Sequence, residues 1–332
     1  MSPHRLLTAS LAVSLLLGAA GCGVDVDVGD EPSDIDDEDR AAPGGKADYF
    51  GEDDRQDPRH ASITDRQTKW ARATALMTDT SDIEQTDDGG LQLASDKTFG
   101  DSRNLCEDVR FTDQPVVPNC SSFLVAPDVM VTAGHCTEGW GAPSCEEMRF
   151  VFDFGYYGAD DAPTDITEQQ VAKCEKIVAS THEGNELTQK DYAVVKLTEP
   201  VTDREPLDLR SEEGHVSPGD HLTLIGYPDG LPVKVDSGGV VFHTNETRFV
   251  ATNDSFAGHS GGAVLNTRTG EIEAVHVASG GQRFESADGQ ACKRPKQCQQ
   301  ANTDGECQGS IGVHTSVWRQ HVEAATNSSG DA

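Results

Sequence analysis

The sequence is short of positive charge: 26 lysines and arginines stand against 57 aspartates and glutamates, a formal net charge of −31. The shortage extends past the acidic start, since residues 1–62 hold 14 acidic and 5 basic side chains and so leave −22 for the remainder. Such a surface repels phosphate backbones, so nucleic acid is not expected as a partner. Outside the cell the same charge serves solubility. Long apolar runs are also missing. The stretch Leu6–Gly18 is too short for a comfortable membrane span. No Cys-x-x-Cys pair occurs, and Cys292, Cys298 and Cys307 have no histidines at zinc-finger spacing. Neither dithiol redox chemistry nor structural zinc is therefore expected, and no metal or cofactor is called for. Asp25 and Asp27 hint at a calcium loop, but the glycine and distal glutamate of an EF-hand are not in place. No internal repeat is visible.

What is present begins with an export signal. His4 and Arg5 precede Leu6–Gly18, which gives way to Ala19-Ala20-Gly21-Cys22. A basic start, a short apolar core and small residues mark a cleaved signal over residues 1–21. Small residues directly before a cysteine resemble a bacterial lipoprotein signal, in which Cys22 becomes the lipidated first residue. Ala19 departs from that pattern, which most often has leucine there. The alternative is ordinary cleavage, with Cys22 left as a stray thiol. Removing Cys22 leaves eight of the nine cysteines, an even number in an exported chain, which favours disulfides.

Residues 22–47 are Asp-, Gly- and Pro-rich and cannot form a core, so they are read as a disordered spacer. A folded domain is expected over 48–325 and a frayed tail over 326–332. The run Trp70–Met77 fits a short helix or a first strand, and the two stay open. Beyond Cys106 come short apolar runs divided by Gly, Pro, Asp and Asn: Ser122–Val125, Met130–Thr132, Phe150–Phe154, Ala193–Leu197, Leu222–Ile225, Gly239–Phe242 and Ala274–Val277. Their length and turn-rich flanks predict an all-β domain, sandwich or barrel.

Three stretches carry chemistry. In Asp254-Ser255-Phe256-Ala257-Gly258-His259-Ser260-Gly261-Gly262 a hydroxyl sits among glycines before an apolar run, a placement that can present Oγ beside backbone N–H groups. In Val131-Thr132-Ala133-Gly134-His135-Cys136 a histidine, which titrates near neutrality and can shuttle a proton, follows a strand end. In Asp191-Tyr192-Ala193-Val194-Val195-Lys196-Leu197 an aspartate opens an apolar strand, where its charge is costly unless a donor such as an imidazole N–H meets it. Singly, each has a plainer reading: a turn, a half-buried structural histidine, a strand-capping aspartate.

Together, in the order His, Asp, Ser, the three runs resemble the trypsin/chymotrypsin-like serine peptidases, with the bacterial V8-like, glutamyl-endopeptidase branch nearer than the animal enzymes. The resemblance implies two packed antiparallel β-barrels with the active site between them. It implies Ser260 as nucleophile, His135 as general base and then acid, and Asp191 as the group orienting His135. It also implies an oxyanion hole made by the Gly258 and Ser260 N–H groups, and a disulfide from Cys120 to Cys136 beside the histidine. Val277–Ser279 matches the segment that pairs with substrate backbone. Cys145–Cys174 is a second expected bridge, while pairing among Cys106, Cys292, Cys298 and Cys307 stays open.

Two departures stand out. His259 occupies the place where animal enzymes carry an aspartate that pairs with a freed N-terminus, and no Ile-Val-Gly-Gly start occurs. Activation by that route is not expected, and His259 is read as a packed residue rather than a further base. The signals for the side chain to be cut conflict. Asp254, six residues before Ser260, matches an acid that selects Arg or Lys. Ser255, His276 and His314 match positions that recognise glutamate, although both histidines also fit plain core packing. Cleavage after Glu is the leaning, with Arg/Lys second. The insertion from Gly281 to Gly309, with three cysteines, is read as a stapled surface loop. The expected partner is a peptide or protein substrate, the expected state a monomer, and any membrane contact runs through a lipid on Cys22. The competing readings are a catalytically silent module that binds a partner, and a surface-display protein whose leader is its main function.

Overall fold

The computed structural model describes residues 49–327, apart from 119, 139–140, 160, 185–189, 212–213, 281–283, 288 and 302–306. The signal, Cys22 and the acidic spacer lie outside the described residues. The chain divides into Met1–Asp37 and Glu38–Ala332, and everything described belongs to the second unit.

Twelve strands form two closed six-stranded antiparallel barrels. The first contains β1 (Thr74–Asp79), β2 (Cys120–Ala126), β3 (Val129–Thr132), β4 (Met148–Phe152), β5 (Val171–Glu183) and β6 (Lys190–Leu197), closing in the order β6-β3-β2-β1-β4-β5. The second contains β7 (His221–Gly226), β8 (Lys234–Thr244), β9 (Arg248–Ala251), β10 (Ala263–Asn266), β11 (Ile272–Gly280) and β12 (Gly309–His314), closing as β7-β8-β9-β12-β11-β10. Each of the seven apolar runs contributes to one of these strands. Closure removes sheet edges, and the short run Val129–Thr132 is buried along its whole length.

The ambiguous stretch around Trp70 is both helix and strand. Thr64 caps α1 (Asp65–Arg72) in a reciprocal capping box with Gln67, and Trp70 and Ala71 turn inward. The chain leaves the helix at Ala73 and enters β1 at Thr74. At the other end, α2 (Thr315–Asn327) buries Trp318 edge-on against Phe123 of β2, with ring centroids 6.2 Å apart. This helix runs two residues into the stretch read as tail. One apolar core joins residues of both barrels, and a smaller cluster of Val216, Leu222, Leu224, Val241, Phe249, Ala251, Val264 and Ala274 fills the second.

All eight domain cysteines are paired, as Cys106–Cys292, Cys120–Cys136, Cys145–Cys174 and Cys298–Cys307. The first and last fix the insertion, in which Phe284–Ser286 pairs with Lys293–Pro295. Gln297–Cys298 runs parallel to Tyr49–Phe50, so the insertion also holds the start of the domain.

Candidate active site

β3 ends in a single 3₁₀ turn, Gly134–Cys136, that carries His135. Position 134 accepts only glycine, because a Cβ there would collide with the carbonyl of Thr181. Asp191, 1% exposed, lies at the start of β6 and meets His135 twice. Its Oδ2 is 2.7 Å from His135 Nδ1, and its Oδ1 accepts the His135 backbone N–H at 3.0 Å. These contacts satisfy a carboxylate that would otherwise be buried at high cost. They also favour the tautomer with the proton on Nδ1, which leaves Nε2 a lone pair. Opposite Asp191 in the β5–β6 register stands His182, half-exposed, its ring 5.6 Å from that of His135.

The run Ala257–Gly262 is shaped by short backbone bonds: Gly261 N–H donates to His276 O at 2.7 Å, and Gly262 N–H donates to His259 O at 2.7 Å. Gly261 has φ +84°, and a Cβ on it would strike Ser121 O and Thr132 Oγ1. Ser121 wedges this turn from beneath. Its N–H donates to Ser260 O at 2.7 Å, and its Oγ donates to Gly258 O at 2.6 Å while accepting from Tyr227 N–H at 2.9 Å. Cys136 Sγ lies 3.8 Å from Ser260 O, which sets the histidine turn against the serine turn. Among the described residues, neither the Gly258 nor the Ser260 N–H has an acceptor within the protein, and no hydrogen bond joins Ser260 Oγ to His135.

The residues expected around the cut side chain differ in their partners. Both oxygens of the Asp254 carboxylate are taken by the start of the domain, accepting Phe50 N–H at 2.8 Å and Asp54 N–H at 2.6 Å. Burial, followed by the charges of Asp236 and Asp53, pushes its pKa well above the usual carboxylate range. Just beyond, the fully buried Arg55 guanidinium lies 3.8 Å from the Phe256 ring centroid and pairs with Asp53 through two bonds of 2.8 Å. His276 stacks on His259 at 5.8 Å, and both its ring nitrogens are buried without a partner, as is Ser255 Oγ. Burial, then His135, holds the His276 pKa down to about 3. His314, diagonal to His276 across the β11–β12 register, stacks on His215 at 4.7 Å with Nε2 3.0 Å from Asn245 O. Its pKa is lowered to about 4, by burial first and His215 second. His259 accepts the Phe256 N–H at Nδ1 and is held well below its ordinary range by burial, with His276 next. It is a neutral packed ring. Val277–Ser279 is paired to β12 on one side, whereas β10 follows β11 only to Val275. Ser279 Oγ is buried and unpartnered.

Sequence reasoning missed Ser121, Arg55 and His182. A hydroxyl pair directly after Cys120 in an apolar strand was a signal for Ser121. His182 had none until the strand register was known.

The closed barrels, the His135–Asp191 pair and the serine turn define a trypsin/chymotrypsin-like serine peptidase fold. Residues 120–275 match the family model described as a trypsin-like peptidase domain. No match is found among curated proteins. A solved structure described as a Glu endopeptidase in complex with MPD aligns at 17% identity over 84% of this chain and 99% of that one, with a TM-score of 0.49.

Proposed function

We propose that the protein is an exported serine endopeptidase that works through an acyl-enzyme, with Ser260, His135 and Asp191 as its triad. The observation that carries this reading is the double contact of Asp191 with His135, 2.7 Å to Nδ1 and 3.0 Å to the backbone N–H, beside a serine turn with two unsatisfied N–H groups. In this mechanism His135 Nε2 takes the proton of Ser260 Oγ as that oxygen attacks the scissile carbonyl carbon. The Gly258 and Ser260 N–H groups receive the resulting oxyanion. His135 then returns the proton to the leaving amine, and water repeats the sequence to release the acyl group. Val277–Ser279 offers its free edge to the substrate backbone. A fluorophosphonate probe labels the wild-type protein at neutral pH and leaves Ser260→Ala unlabelled. A wild-type protein that resists the probe in every processed form is a binding module instead.

The preferred substrate is cleaved after Glu. The unpartnered donors Ser255 Oγ and His276 support a site for a carboxylate, and Asp254 is engaged with Phe50 and Asp54 rather than offered to a cation. Peptide substrates with Glu before the cut are turned over faster than those with Arg or Lys. About a tenfold preference for Arg that Asp254→Ser abolishes overturns the assignment. The same proposal places the protein at the cell surface through a lipid on Cys22. N-terminal sequencing and mass of the mature chain test that address.

A further inference from the structure

Beside the triad, His182 Nε2 completes a cluster of ligating atoms with Asp191 Oδ2 and His135 Nδ1. All three ligating groups lie within 4.8 Å of one another. They are held on rigid supports. His182 and Asp191 face each other across paired strands, and His135 sits on the turn packed against them. His182 Nε2 is 3.9 Å from Asp191 Oδ2, and its side chain is 51% exposed, so an ion reaches it from solvent. We propose that this trio is an inhibitory site for a transition-metal dication of the zinc type.

The donor chemistry selects the ion. Two imidazoles and one carboxylate suit zinc and its neighbours, while magnesium and calcium ask for oxygen ligands. A tetrahedral zinc with bonds of about 2.0–2.1 Å holds its donors about 3.3 Å apart. Two of the separations, 2.7 Å and 3.9 Å, straddle that value and the third lies within 4.8 Å, so the half-exposed His182 ring turns inward to close the site. Three protein ligands leave a fourth position for water.

The consequence for catalysis rests on the peptidase reading; the site itself does not. Metal bound at His135 Nδ1 takes the nitrogen that carries the proton in the catalytic tautomer. That proton moves to Nε2, so the ring keeps its neutral charge and loses the lone pair that accepts the Ser260 proton. At the same time Asp191 becomes a metal ligand and stops orienting the imidazole. Inhibition is reversible because the coordination bonds exchange and a chelator can withdraw the ion.

Zinc titrated calorimetrically into the Ser260→Ala protein, which needs no turnover to be informative, is expected to bind one ion per chain, with magnesium giving no heat. His182→Ala in that background weakens binding by about tenfold or more, since even changes behind a ligand cost that much. In the wild-type protein zinc slows turnover, a chelator restores it, and His182→Ala needs at least about ten times more zinc for the same fractional loss from its own metal-free rate. Absence of zinc binding, equal binding of magnesium, or unchanged binding and inhibition in His182→Ala overturns the proposal. If the wild-type protein turns over no peptide, the calorimetric arm still decides the site.

Discussion

At the scale of single residues, Asp191 shows how much geometry one carboxylate sets. Its two oxygens address the ring and the backbone of the same histidine, so rotation of His135 breaks both contacts at once. Asp191→Asn keeps the shape but not the tautomer preference. Turnover in the metal-free protein is expected to fall on the order of 10⁴-fold with the fold intact, as steady-state kinetics and circular dichroism check together. Ser121 works differently. Ser121→Ala removes the group that joins Gly258 O to Tyr227 N–H, at a cost of about 1–3 kcal/mol, read as a lower denaturant midpoint with slower labelling of Ser260. His135, Asp191 and Ser260 were legible because each sits in a local run whose neighbours announce it. Ser121 and His182 acquire meaning only from what the register places opposite them, and the same holds for Asp254. Its sequence position suggested a bare acid, yet its oxygens turn out to hold backbone N–H groups some 200 residues earlier in the chain.

Among the elements, the segment from Tyr49 to Asp57 does more than begin the domain. Phe50, Asp54 and Arg55 grip Asp254 and Phe256, four to six residues before Ser260, and Gln56 exchanges two 2.9 Å backbone bonds with Val235. Arg55→Met keeps volume over Phe256 but leaves Asp53 without its bidentate partner. Asp53 keeps Arg110 at 3.7 Å, so the cost stays below the about 3–5 kcal/mol of a buried charge left alone, and a drop in melting temperature is expected. Labelling of Ser260 is expected to slow with it, whereas Arg55→Lys retains part of both. A strand of two residues such as Tyr49–Phe50 leaves no periodicity to detect, and the buried arginine has no counterpart in an apolar pattern. The barrel strands, by contrast, were readable as runs bounded by turn residues, and the helix before β1 was half-readable because its end and the strand start fall within two residues.

For the molecule as a whole, pH acts through groups of opposite tendency. His276 and His314, held to about 3 and about 4 against an ordinary 6.5, stay neutral in the fold while the unfolded chain takes up protons below 6.5. Their contribution is therefore present above pH 6.5 and is lost as pH falls toward those values. Asp236 and Asp254, raised by burial, run the other way: they favour the fold where they are protonated and lose that contribution as pH rises through their folded values. His276→Phe removes a ring with no hydrogen-bond partner. The melting temperature of this variant is expected to decline less than the wild type's between pH 6.5 and 4.

The Cys106–Cys292 bridge spans 186 residues, a stretch that contains His135, Asp191 and Ser260. On the proposed function, molecules that meet one another are exposed to being nicked. A single break anywhere inside that span leaves both fragments covalently joined. Damage of this kind stays hidden on a non-reducing gel and becomes visible only when thiol is added. The bridge thus fixes a loop in place and also lets a cut molecule remain one molecule.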